Sequence, residues 1–99
     1  MQNLLTKTTI NYAKKRSVGA SLLDLDDMGI ILSFYPVDSN SDAELNFILN
    51  EEDGSFSFAT NTLLEEKMMC FIPRELEDEN HIRKVVDFLS GQPAMKEVH

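Results

Sequence analysis

The segment that most restricts the fold is Leu45-Asn-Phe-Ile-Leu-Asn50, followed by Glu51-Glu-Asp-Gly54 and Ser55-Phe-Ser-Phe-Ala-Thr60. Leu45, Phe47 and Leu49 alternate with Asn46, Ile48 and Asn50, and Phe56 and Phe58 alternate with serines. A period of two is the mark of strands that bury one face. Asp53-Gly54 supplies the connection, because Gly tolerates the positive φ that tight turns need and the acids keep the tip in water. A β-hairpin is expected over residues 45–60.

Further strands are expected on both sides of it. Met28-Gly-Ile-Ile-Leu-Ser-Phe-Tyr35 places Met28, Ile30, Leu32 and Phe34 on one face and is stopped by Pro36, which lacks a ladder N–H. The Ser-Asn-Ser-Asp run at 39–42 is loop chemistry. Leu22-Leu-Asp-Leu25 before Asp26-Asp-Met-Gly29 reads as a short strand and turn, which makes a second hairpin. Lys67-Met-Met-Cys-Phe-Ile72, ended by Pro73, reads as another strand, antiparallel to its neighbour because the link is short.

Helical spacing is clearest over 79–90. Ile82, Val85, Val86 and Leu89 recur at i, i+3, i+4 and i+7, while Arg83, Lys84 and Asp87 face away. Asp78 or Asn80 can cap its start, and Gly91 with Pro93 marks its end. Residues 2–17 fit two patterns. Thr6, Thr8, Ile10 and Tyr12 alternate as in a strand, whereas Leu5, Tyr12, Ala13 and Arg16 share a helical face that ends in Lys14-Lys15-Arg16. The helix is preferred, because a basic last turn suits the helix dipole. Residues 94–99 are expected to form a loose tail. The fold class is therefore α+β: an antiparallel sheet of four to five strands packed against a C-terminal helix, joined by an N-terminal helix if 2–17 is helical.

The 99 residues, 42% apolar and 26% charged, have the balance of one globular domain over 1–99. Such a domain is expected to fold alone or as a homodimer, with stability of about 5–10 kcal/mol. The longest apolar runs, such as Ile30-Ile31-Leu32, are strand-sized, so no membrane span is expected. There is no charged, apolar leader pattern and no Asn-x-Ser/Thr sequon, and the lone Cys70 has no disulfide partner. Together these point to a cytoplasmic protein.

Charge is unevenly placed. Residues 1–20 carry Lys7, Lys14, Lys15 and Arg16 and no acid, for +4, whereas residues 21–99 hold all 17 acids and five bases, for −12. A body this negative repels phosphate backbones, so general nucleic-acid binding is not expected.

No catalytic set emerges. Of the two histidines, His99 is terminal and His81 lies in the first turn of the expected helix. Cys70 reads as a small apolar strand residue rather than a nucleophile paired with His81. Asp24-x-Asp-Asp-x-Gly29 resembles the start of a calcium loop, but Met28 and Tyr35 stand where oxygen ligands belong, so it reads as a solvated acidic turn. Neither a phosphate-binding glycine loop, a nucleophile elbow nor zinc spacing occurs, and no cofactor or metal is expected.

The remaining chemistry is acidic. Glu75, Glu77, Asp78 and Glu79 form the densest run, and Asp24, Asp26, Asp27 and Glu51, Glu52, Asp53 sit in the two expected turns. If these loops share one side, they make a surface for a basic protein partner. The expected function is a non-enzymatic protein-binding module: an inhibitor, an immunity-type protein, a small chaperone or a charge mimic of nucleic acid. The alternative is a single-stranded nucleic-acid-binding sheet that stacks bases on Tyr35, Phe47, Phe56 and Phe58. The lack of interleaved Lys and Arg on those strands opposes it.

Overall fold

The structure is a computed structural model that describes residues 5–37 and 43–92, apart from the Met28 side chain. The expected hairpin is β3 (Leu45–Asn50) and β4 (Ser55–Asn61), paired in the register Asn50↔Ser55, Leu49↔Phe56 and Phe47↔Phe58. Its turn is held from within. The Asp53 carboxylate accepts from the Ser55 amide at 3.0 Å and from the Ser55 hydroxyl at 2.7 Å, and Gly54 takes φ 79°. A β-bulge between Asn46 and Phe47 shifts the register so that Leu45 faces Asn61.

The second hairpin is longer than the sequence pattern implied. β1 (Val18–Asp24) pairs along its whole length with β2 (Ile30–Pro36), from Val18↔Pro36 to Asp24↔Ile30. A short 3-10 turn at Asp26–Met28 connects them and is closed by the Leu25 N–H donating to the Gly29 carbonyl at 2.8 Å. With the two-residue β5 (Glu75–Leu76), the sheet is five-stranded and antiparallel in the order β1-β2-β3-β4-β5.

The segment expected as a strand at 67–72 is instead a 3-10 helix, Glu66–Phe71. Its inward residues recur at three- and four-residue spacing rather than alternating: Met68 and Met69 pack on the core and Ile72 is buried. Met68 and Ile72 donate back three residues, to the Glu65 and Met69 carbonyls. Phe71 points outward and stacks on Phe88, with ring centroids 5.6 Å apart. The strand forms later, where Phe58 N–H reaches the Arg74 carbonyl at 2.8 Å.

Two helices cover one face of the sheet. α1 (Lys7–Lys14) resolves the ambiguity of 2–17 in favour of a helix: the Thr6 side chain caps it by accepting from Thr9 N–H, and Leu5 and Ala13 are buried. α2 (Glu79–Ser90) has the bounds that the sequence pattern gave, with Asp78 as its N-cap and Ile82, Val85, Val86 and Leu89 buried. Beneath the helices lie Leu32, Phe34, Leu45, Phe47, Phe56 and Leu76. Phe47 meets Phe34 and Phe58 edge-on, at 6.0 Å and 6.2 Å between centroids.

The helices run side by side in the same direction, because their first turns meet and their last turns meet. At the start, Glu79 Oε2 accepts from Thr6 N–H at 3.0 Å, from the Thr6 hydroxyl at 2.7 Å and from the Thr9 hydroxyl at 2.5 Å. Further along, the Tyr12 hydroxyl donates to Asp87 at 2.5 Å, and Arg16 lies over the Tyr12 ring and 3.4 Å from Asp87.

Among the described residues, the opposite face of the sheet carries no helix. There Tyr35 lies across Gly19: a Cβ on Gly19 would fall 2.2 Å from Tyr35 Cε2, so glycine is what lets the ring lie flat against the strand. Leu23, Ile31 and Ile48 make a short apolar row on this face, in register across three strands. Two expectations, the loop at 39–42 and the tail at 94–99, lie outside the described residues.

Candidate protein-docking surface

Strand direction decides where the acidic residues go. β1 and β3 run one way and β2 and β4 the other, so the turn after β1 and the turn after β3 stand at the same end of the sheet. β5 is antiparallel to β4 with Leu76 opposite Phe56, so the chain leaves β5 toward that end as well. The topology therefore gathers three acidic groups that are far apart in sequence: Asp24, Asp26 and Asp27; Glu51, Glu52 and Asp53; and Glu77 and Asp78. All eight are exposed.

Some of these carboxylates are occupied within the fold. Asp24 accepts from Asp26 N–H at 3.2 Å, and Asp78 accepts from His81 N–H at 3.0 Å as the α2 cap. Hydrogen bonds from the Ser55 backbone and hydroxyl hold Asp53 below the usual carboxylate range. Among the described residues, Asp26, Asp27, Glu51, Glu52 and Glu77 make no side-chain hydrogen bond or ion pair within the fold, which leaves five unneutralised charges at this end.

Two members of the sequence-level set sit elsewhere. Glu75 lies within β5, opposite Ser57, rather than in a loop, and its side chain is exposed. Glu79 turns inward. Burial opposes its ionisation, but the Thr9 and Thr6 hydroxyls, the Thr6 amide and the nearby Arg83 outweigh that and hold it below its usual value. It ties α1 to α2 and is spent on the fold. The sequence carried only a partial signal for this: Thr6 is a favoured N-cap residue type, but nothing in the sequence paired that turn with residue 79.

The reactive candidates also move. Cys70 is an exposed residue of the 3-10 helix rather than an inward strand residue, and its thiol donates to the Lys67 carbonyl at 3.2 Å. His81 Nδ1 accepts from Glu77 N–H at 2.9 Å, a capping role that engages one ring nitrogen. Among the described residues, no group of three or more His, Cys, Asp or Glu is placed to hold a metal ion. No helix among them is long and apolar enough to cross a membrane. Of the aromatics considered for base stacking, Phe47 and Phe56 are buried in the core and Phe58 packs against it, which leaves Tyr35 on the open face.

These observations define a small α+β domain with an acidic end, a helix-covered face and an open face. Searches against models of known families, curated proteins and solved structures found no match for the chain.

Proposed function

We propose that this chain is a non-enzymatic binding module whose acidic end docks on a basic protein surface, in the manner of an inhibitor, an immunity-type protein, a small chaperone or a charge mimic of nucleic acid. The observation that carries the reading is the convergence of the 24–27, 51–53 and 77–78 carboxylates at one end of the sheet, five of them without a partner inside the fold. Several like charges fixed on short turns raise the local potential and speed encounter with an oppositely charged surface. The stacking alternative loses support because Phe47 and Phe56 are covered.

The test is a pull-down from the native cell with the full chain, repeated with two matched double reversals. Glu51→Lys with Glu52→Lys alters the acidic end, and Glu65→Lys with Glu66→Lys makes the same charge change in the connection after β4. Loss of a basic partner with the first pair and retention with the second supports the reading, as does association that slows as salt shortens the Debye length from ~10 Å at 0.1 M to ~3 Å at 1 M. Equal binding by all three proteins, or tight salt-sensitive binding to single-stranded nucleic acid, overturns it.

A further inference from the structure

The two edges of the sheet are managed differently. β5 is two residues long, and shortness is one way in which proteins blunt an edge. β1, the other edge, is seven residues long, has no proline, lysine or bulge, and carries no charge before Asp24. An edge of this kind is a template for another strand.

The exposed apolar side chains gather along that edge. Leu22 is 38% exposed, Leu23 44% and Leu25 42%, and Val37, at 40%, sits beside the start of β1 with its N–H on the Ser17 carbonyl. The other large exposed apolar residue among those described, Phe71, already stacks on Phe88.

The backbone pattern shows which groups are unused among the described residues. Val37 N–H donates to Ser17 O and Leu25 N–H donates to Gly29 O, so the odd-numbered residues of β1 direct their amides and carbonyls at β2. Ladder bonds alternate along a strand, which turns the N–H and C=O groups of Val18, Ala20, Leu22 and Asp24 outward.

Charge then selects the occupant. Immediately before β1 stand Lys14, Lys15 and Arg16, all exposed, and at its far end stand Asp24, Asp26 and Asp27. Arg16 is shared with Asp87, but Lys14 and Lys15 have no ion pair among the described residues. A strand that is basic at one end and acidic at the other is complementary to itself run backwards. We propose that β1 docks antiparallel against β1 of a second copy of this chain, about a two-fold axis perpendicular to the sheet, to give one continuous ten-stranded sheet.

Centred on Leu22, this register sets Leu22 opposite its own copy and Ala20 opposite Asp24, so Ala20, Leu22 and Asp24 exchange ladder bonds with the other copy. It also places the start of each β1, with the preceding basic cluster, beside the end of the other copy's β1 and the acidic turn that follows it. Strands in a ladder lie about 4.8 Å apart, so the leucines are covered by the same step. The interface is isologous, and each contact occurs twice. The inference needs no other protein; it draws on Asp24, Asp26 and Asp27 of the acidic end and leaves Glu51, Glu52 and Glu77 open to a basic partner.

Sedimentation equilibrium on the full chain tests the dimer, and amide hydrogen exchange tests its geometry. The expected result is a species of twice the 11.2 kDa chain mass, in which the Ala20, Leu22 and Asp24 amides become protected as concentration rises while those of Ser21 and Leu23 are protected throughout. Leu22→Pro removes an outward N–H without touching the β2 ladder and abolishes the dimer. Lys15→Asp or Asp27→Lys alone weakens it about tenfold, since the axis counts each change twice, and combining them restores it. The charge variants keep the test decisive if the proline variant fails to fold. A chain that is monomeric at every concentration, or a dimer whose Ala20, Leu22 and Asp24 amides exchange freely, overturns the proposal.

Discussion

Replacing Glu79 by alanine removes the acceptor that joins the first turns of the two helices, and the structure allows its cost to be worked out. One carboxylate oxygen takes three hydrogen bonds, from Thr6 N–H, the Thr6 hydroxyl and the Thr9 hydroxyl. Hydrogen bonds to a charged acceptor contribute about 1.5–3 kcal/mol each, and a buried donor left unpaired costs about 1–3 kcal/mol. Thr9 is fully buried, so its hydroxyl has no solvent to turn to, whereas Thr6 lies nearer the surface and recovers part of its loss from water. A net cost of about 2–3 kcal/mol follows, a large share of the ~5–10 kcal/mol expected for the domain, and it lowers the melting temperature by roughly 10 °C or more. The assay is urea unfolding of Glu79→Ala, Thr9→Val and the double variant. Because both single changes break the same contact, the double should cost at least ~1 kcal/mol less than their sum. The folded carboxyl titrates below its usual 4.5, so its contribution is present above that pH and is lost as pH falls through the lower folded value. Glu79→Gln should flatten the acid limb of the stability curve. Additive costs and an unchanged acid limb would refute the reasoning.

Three further predictions rest on single positions. Val86 is fully buried on α2, so Val86→Asp should unfold the domain, by several kcal/mol of carboxylate burial; a cooperative melt near that of the parent would contradict this. Gly19→Ala must push the Tyr35 ring off the strand, which should cost about 1–2 kcal/mol and shift the tyrosine fluorescence, with most of the cost absent in a Tyr35→Ala background. The exposed Cys70 should be titrated fully by a thiol reagent in the folded protein, and Cys70→Ser should leave the melt unchanged; a thiol that reacts only after unfolding would place it inside.

Local periodicity carried most of the fold. The 45–60 hairpin and the 79–90 helix were legible because pattern, turn and cap agree at each: alternation with Asp53-Gly54 in the first, spacing with Asp78 and Gly91 in the second. β1 was legible only in part, since Val18, Gly19 and Ala20 show no polar alternation and the pairing of Gly19 with Tyr35 is a tertiary fact. The 66–71 segment misled because a short apolar run has no decisive period. Only the core beneath Met68, Met69 and Ile72 makes it helical. The candidate surface was half-legible: the acids were plain in the sequence, but their convergence depends on strand direction and on the site of β5. The inward turn of Glu79 depends on a contact across 73 residues of chain.

The most direct test of the central claim is amide chemical-shift mapping of the isotope-labelled chain with the partner recovered by pull-down. The account predicts that shifts cluster in residues 24–29, 51–54 and 77–78 together, and that they fade in the Glu51→Lys, Glu52→Lys variant. Shifts centred on Leu23, Ile31, Ile48 and Tyr35, with those three turns silent, would contradict it and move the docking surface to the open face of the sheet.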